Sequence, residues 1–289
     1  MLVQILISGF LISAIYALAT TGFTLLYGVS GILNLAHGTT LATAGIVAWY
    51  VAHHTSIGST GILLVGMLSG VFVGSLTYAF IVRPIQRIGL SEADEHVFLL
   101  VGTLLWTIIL QETLANIFGD VPVSLPQMVA GVVDIFGVRT PLSSLVIAAV
   151  SWGILGLLWL YVNFTKSGHS LLAASINPRG LVLCGFNLGA IHRVVWTIYG
   201  LLVGVAGVLI AMSLGVSPSG GLELTATAFS IVILGGLGSV TGSLIAANVI
   251  GYIETATAYL VNPSLRSLPA LVILVIVLYF RPQGLFGRR

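Results

Sequence analysis

Met1-Leu-Val-Gln-Ile-Leu-Ile-Ser-Gly-Phe-Leu-Ile-Ser-Ala-Ile-Tyr-Ala-Leu-Ala-Thr-Thr-Gly-Phe-Thr-Leu-Leu-Tyr27 contains no Lys, Arg, Asp or Glu, and the first such residue in the chain is Arg83. A soluble segment as long as these 82 residues would carry about 20 charged side chains. This one cannot face water around its whole perimeter, so it sits in hydrocarbon or inside a bundle that does. The rest of the chain agrees, with 57% hydrophobic residues, 6% charged residues and a mean hydropathy of +1.13 over 289 residues. Runs of about 20 apolar residues, enough to cross roughly 30 Å, recur along it. Lipid admits only helices and closed barrels, and the alternating segments of about ten residues that mark a barrel are missing. The expected fold is all-α. It is a single polytopic transmembrane bundle over residues 1–289 with about 8–10 membrane spans, some of them glycine-broken.

Several function classes lack support. A formal charge of +2 gives nucleic-acid binding no electrostatic basis. One cysteine, Cys184, excludes an internal disulfide and a multi-cysteine metal site. No Cys/His/carboxylate cluster has ligand spacing, so no metal is expected. No nucleophile–base pair, Walker sequence or dinucleotide loop is present, and no catalytic residue is assigned. The first apolar run has no basic segment before it and no small-residue cleavage site after it, so it is expected to stay in place.

Hydropathy and helix breakers place spans at 4–27, 39–54, 61–82, 97–118, 141–164, 193–212, 225–238, 243–261 and 268–280. With nine spans and the C-terminus inside, the cytoplasmic segments hold Arg83, Arg87, Lys166, Arg179, Arg193, Arg281, Arg288 and Arg289. The outer segments hold only Arg139 and Arg266. Eight against two follows the positive-inside bias and puts the N-terminus outside. Most Trp and Tyr, among them Trp49, Tyr50, Trp159, Tyr161, Tyr259 and Tyr279, fall near span ends as an aromatic belt.

Two stretches interrupt the pattern: Gly28-Val-Ser-Gly-Ile-Leu-Asn-Leu-Ala-His-Gly38 and Gly235-Gly-Leu-Gly-Ser-Val-Thr-Gly242. Paired glycine interruptions in two halves of a membrane protein point to a translocation site. The alternative is tight connection or small-residue helix packing. Asn34, His37, Gly38, Gly235, Gly236, Gly238 and Ser239 are the pathway candidates here. The blander role for His37 and Asn34 is a hydrogen bond that fixes the break. Glu254, inside the eighth span, either lines the pathway, carries a proton, or pairs with a neighbour such as Tyr252, Thr255 or Thr257. Glu112 lies near the outer interface beside Gln111 and reads as structural.

The longest polar stretch, about residues 165–192, is expected to be cytoplasmic. His169–Ile176 suits one short helix. Asn177 is a good cap and Pro178 a good first residue for a second, running through Arg179 to Cys184 and stopped by Gly185. Leu181, Val182 and Leu183 give that helix an apolar side. Such a helix suits groove docking or rests on headgroups or the bundle.

This loop resembles the coupling segment of branched-chain amino acid ABC transporter permeases, in which a small-residue helix precedes Asn-Pro and then Gly-Ile/Phe-Asn. Leu26-Tyr-Gly-Val-Ser-Gly-Ile-Leu-Asn-Leu-Ala-His-Gly38 looks like that family's N-terminal signature, Ile233-Leu-Gly-Gly-Leu-Gly-Ser239 like an internal one, and Phe280-Arg-Pro-Gln-Gly-Leu-Phe-Gly287 like its C-terminal end. The Asn-Leu-Ala-His-Gly form is similar to the first (LivH-type) of two paired permeases. The resemblance implies coupling to an ATPase through His169, Ser175, Asn177, Pro178, Arg179, Leu181, Leu183 and Gly185. It further implies a second, LivM-like permease, two cytoplasmic ATPases that bind ATP and Mg, and a periplasmic or extracellular binding protein. Departures lie at His169 and at Ala173 or Ala174, where the family often has basic residues, and at Arg179, where it is often acidic. Charge complementarity to an ATPase therefore differs here.

The expectation is a membrane subunit of an ATP-driven importer in a bacterial plasma (inner) membrane. Its cargo would be branched-chain amino acids or a similar small polar solute such as urea, a short amide or another amino acid. The alternatives are an ion-coupled secondary transporter, supported by Glu254 and the paired breaks, and a membrane-embedded enzyme, which lacks a polar catalytic cluster.

Overall fold

A computed structural model describes residues 1–281 and 283–287. In chain order its elements are α1 (Leu2–Ser30), α2 (His37–His54), α3 (Ser59–Thr77), a π-helical segment Tyr78–Val82, α4 (Arg83–Ile88) and α5 (Glu92–Phe118). A hairpin of β1 (Val132–Ile135) and β2 (Val138–Pro141) leads into α6 (Leu142–Phe164), α7 (Lys166–Ile176), α8 (Pro178–Leu183) and α9 (Leu188–Ser213). The chain closes with α10 (Gly221–Gly235), α11 (Val240–Leu260), a 3-10 turn Pro263–Leu265 and α12 (Leu268–Phe280).

The expected helical bundle is what forms. Among the described residues, six stretches are long and apolar enough to cross a membrane: Leu2–Ser30, Ser59–Ile88, Glu92–Phe118, Leu142–Phe164, Leu188–Ser213 and Pro263–Phe280. Helices α2, α10 and α11 occupy the other three expected positions. The 15 residues of α10 rise only about 22 Å, short of a hydrocarbon core of roughly 30 Å.

Several span ends differ from the hydropathy reading, α9 starting at Leu188 and α10 at Gly221, and two more have clear local settings. The third helix runs on past residue 82 to Ile88 through the π-helical turn Tyr78–Val82, where the Arg83 N–H donates to Tyr78 O just ahead of Pro84. The fourth begins at Glu92, not 97, because Ser91 caps it by accepting from the Asp94 N–H at 3.3 Å. Glu92, Asp94 and Glu95 then complement the helix dipole in the first turn. The β1–β2 hairpin was not foreseen. It turns at Phe136 (φ 51) and Gly137 (φ 80), with Asp134 Oδ1 accepting from the Gly137 N–H at 2.8 Å.

Close approach of small residues organises the core. Gly66, Gly70 and Gly74 of α3 face Gly200 and Gly204 of α9, and a Cβ on Gly70 would strike the Gly200 carbonyl and Gly204 backbone. This spacing of four lets two backbones meet where lipid offers no hydrophobic drive. The second half of helix α9 is enclosed by its neighbours, and Val195, Trp196, Tyr199, Val203, Ala206, Leu209 and Ile210 are buried, while Arg193 and Thr197 in the first half stay exposed.

The helices alternate in direction, so loops collect at two ends. One end gathers Gln4, Ser8, Arg139, Tyr259 and Arg266 around a shared cavity. The opposite end carries Arg83, Arg87, Lys166, Arg179, Arg193 and Arg281 among the described residues. Arg288, Arg289 and Pro282, three positions used in the sequence reading, lie outside the described residues.

Candidate translocation site

The first glycine break lies in the depth of the bundle. Helix α1 ends at Ser30 under a left-handed Gly31 (φ 69), and residues 31–36 are irregular, closing with a turn at Leu35 and Ala36, with Ile32, Asn34 and Ala36 buried, before α2 starts at His37. Irregular backbone is tolerated at membrane depth only where protein satisfies its polar groups. Here Leu35 N–H donates to Thr103 Oγ1 (3.2 Å), halfway along α5. Asn34 folds back to accept from the Ala36 N–H (3.1 Å) and donates Nδ2–H to Tyr199 Oη (3.0 Å), halfway along α9. His37 Nδ1 lies 3.3 Å from the same hydroxyl, while the ring stacks on Phe23 with centroids 4.9 Å apart.

Gly38 joins α2 to α10. Its N–H donates to Thr225 Oγ1 (2.9 Å), and that hydroxyl can donate to Leu35 O (3.2 Å) or Gly221 O (2.9 Å). A Cβ on Gly38 would strike the Gly221 carbonyl. The N-terminal ends of two helices of opposite direction therefore lie side by side inside the bundle.

The second break sits elsewhere and is filled by backbone. Gly236 (φ 97) and Gly238 (φ 81) take conformations that favour glycine. Leu285 and Phe286 N–H donate to Leu234 O (2.8 Å) and Gly235 O (3.2 Å), closing the carbonyl end of α10. Gly235 packs against Gly242, and Gly236 against Gly287. Ser239 caps α11 by accepting from the Gly242 N–H at 3.2 Å. The two breaks approach each other where Gly28 packs on Gly238, and Leu33 and Leu237 pack on the same Phe23 cluster.

Glu254 is buried, and its partners are not the neighbours considered from sequence. Oε2 accepts from Tyr16 Oη–H of α1 at 2.6 Å and from Arg266 Nε–H at 3.4 Å, while Arg266 Nη2–H donates to Tyr16 Oη at 3.2 Å. The triad lines a cavity of about 260 Å³ with Ser217, Gly220, Glu223, Leu224 and Thr227. Beyond Tyr16 and Thr227 a narrow crevice continues between Leu41, Ile210, Leu224 and Ile231. Glu112 is exposed on α5.

In the loop, α7 begins three residues earlier than expected because Thr165 caps it, accepting from the Gly168 N–H at 3.0 Å. Asn177 caps α8 by accepting from the Gly180 N–H at 2.9 Å, and Pro178 is its first residue. The apolar side of α8 is split. Leu181 is buried in the chain's own core, while Val182 and Leu183 are exposed, Leu183 at 89%. His169, Ser175, Asn177, Pro178, Arg179 and Gly185 are exposed, and Arg179 Nη2 meets Glu92 Oε1 at 3.3 Å.

A family model described as "Branched-chain amino acid transport system / permease component" matches residues 5–278. The chain belongs to this permease family. Relatives extend over its full length. LivH of Escherichia coli K12, a high-affinity branched-chain amino acid transport system permease protein, is 26% identical over 99% of this chain and 95% of its own. BraD of Pseudomonas aeruginosa, named the same way, is 25% identical over 99% and 95%. The ribose import permease RbsC of E. coli K12 is 25% identical over 84% of this chain and 74% of its own.

Sequence reasoning missed Tyr16, Thr103, Tyr199, Thr225 and Arg266. The signal for Thr103 and Thr225 was present as hydroxyls within apolar spans. Nothing in sequence paired Tyr16 with Arg266 across 250 residues.

Proposed function

We propose that this permease is the membrane-spanning subunit of an ATP-driven ABC importer that moves branched-chain amino acids or a similar small polar solute (urea, a short amide, another amino acid) into the cytoplasm by alternating access. The observation that carries the reading is the exposed, doubly capped α7–α8 pair, with Leu183 and Val182 presented outward beside Arg179. A chain without an ATP site takes its energy from a partner. Two cytoplasmic ATPases, which bind ATP and Mg, dock on α8, and differential ATP affinity for two states of the assembly drives the change. A second, LivM-like permease completes the membrane unit, and a periplasmic or extracellular binding protein delivers the solute. The N-terminus lies outside, and the setting is a bacterial plasma membrane. The ribose relative supports a framework open to more than one cargo class.

Leu183→Asp in the assembled complex tests this. Membrane insertion stays intact and substrate-stimulated ATP hydrolysis falls at least tenfold. Undiminished stimulation overturns docking at α8. Leu183 is the better probe than Leu181, whose burial would turn an added charge into a folding defect. The ion-coupled carrier reading rests on Glu254; gradient-driven uptake by the purified chain alone in liposomes would establish it.

A further inference from the structure

We infer that the groove between α6 and the α3–α9 pair is a binding site for one anionic phospholipid, with an acyl chain lying along α9 and the phosphate on Arg193. The site is independent of the cargo and shares with the importer reading only the side on which α7 and α8 lie. Helices α3 and α9 are drawn together where Gly66 and Gly70 meet Gly200 and Gly204. Helix α6 packs on α1 instead and barely meets α9. The gap that remains is an open groove of about 690 Å³, with Ile154, Leu157 and Leu158 of α6 across from Val194, Ile198 and Leu201 of α9.

Its size decides between a hydrocarbon chain and a helix as occupant. Along α9 the groove runs from Ala190 to Val205, about 22 Å of helix rise, more than half of a hydrocarbon core roughly 30 Å thick. Its mean cross-section is then about 30 Å². A helix about 10 Å across with its side chains needs roughly 80 Å². An extended acyl chain fits; a helix of a second copy does not.

Charge at one end names the head. Arg193 lines the groove on the side where α9 follows α7 and α8 in the chain. Its Nη1 lies 4.0 Å from the Cβ position of Gly189, so the guanidinium reaches back over the first turn of α9. Long basic side chains near span ends reach headgroup level in this way. The groove lining holds no carboxylate, and Arg193 pairs with none among the described residues, unlike Arg179 and Arg266. The positive N-terminal end of α9 adds to the same field. An apolar trough headed by an unpaired guanidinium is complementary to a phosphate carried on an acyl chain. A zwitterionic headgroup brings no net charge to Arg193 and is held less well.

Native mass spectrometry of the purified permease, offered equal amounts of phosphatidylglycerol and phosphatidylcholine with the same acyl chains, tests this in detergent, whichever way the chain faces a membrane. The wild type retains one lipid per chain and prefers phosphatidylglycerol about fivefold, as one basic residue at a lipid surface confers. Arg193→Gln keeps a lipid and loses the preference. Leu201→Trp fills the middle of the groove, leaves Arg193 in place and loses the retained lipid of both kinds. An unchanged helical circular-dichroism spectrum shows that the variants fold. Equal retention of the two lipids by the wild type overturns the proposal, as does a preference that survives Arg193→Gln or full retention by Leu201→Trp. A disulfide between two chains at Leu201→Cys in a Cys184→Ser background also overturns it, because a second copy then fills the groove. Loss of ATPase coupling in Leu183→Asp leaves these lipid ratios untouched, so failure of the importer reading and failure of the lipid site are read separately.

Discussion

The segments at residues 31–38 and 235–242 are both glycine-rich, both precede a helix, and both look alike as text; the fold uses them in opposite ways. The first carries polar residues into the bundle, where Asn34, His37 and the Leu35 amide meet Tyr199, Thr103 and Thr225. The second carries Ser239, which caps α11, and an exposed Thr241, and is packed by the backbone of residues 284–287 and of α1. Glycine marks where a chain can bend or approach closely. The residues between the glycines decide whether the bend becomes a polar site or a packing joint.

Substitutions rank this contrast. The largest effect is expected at Gly38→Leu, where the side chain would drive into the Gly221 carbonyl and Thr225 with no flexible neighbour to yield. A loss of about 4 kcal/mol or more is expected, seen as failure to recover a monodisperse protein from membranes. Gly236→Leu meets a positive φ and the residue-287 backbone, so the side chain displaces a segment tied to α10 by the Leu285 and Phe286 N–H bonds. About 2–3 kcal/mol is expected there, measured as a lower unfolding midpoint in detergent. Losses of the same size at both glycines would erase the distinction between the breaks.

Tyr199→Phe sharpens the polar half. It leaves Asn34 Nδ2 and His37 Nδ1 without their shared hydroxyl in a buried site, at about 1–3 kcal/mol. Hydrogen exchange should rise at residues 31–38 and remain unchanged at 235–242. Ser239→Ala removes a helix cap and is expected to cost about 1 kcal/mol. Gly31→Ala is smallest, since nothing lies within 4 Å of the added methyl and only the positive φ opposes it. The expected loss is below about 1 kcal/mol, read from the same unfolding curve.

Much of the bundle was legible because hydropathy reports solvent directly. All nine expected spans became helices, with ends moved where Pro84 and Ser91 act locally. The cap at Asn177 was readable because capping is a short-range matter, whereas Ser239, a pathway candidate from sequence, turned out to cap α11. The surroundings of Glu254 were not. Its partners Tyr16 and Arg266 come from α1 and from the turn before α12, and distance along the chain carries no signal of contact. The division of α8 into buried Leu181 and exposed Leu183 was hidden too. Six residues are too few for periodicity to show which face meets the bundle.

The overlap of α2 and α10 has a mechanical consequence. A continuous helix bends only by breaking its own ladder, whereas these two run in opposite directions and share no ladder bond. Shear along their seam breaks the bonds from Thr225 to Gly38 and Leu35 and slides Gly221 past Thr39. At about 0.5–1.5 kcal/mol net for each bond, such a seam yields by exchanging side-chain and packing contacts while both helix ladders stay whole.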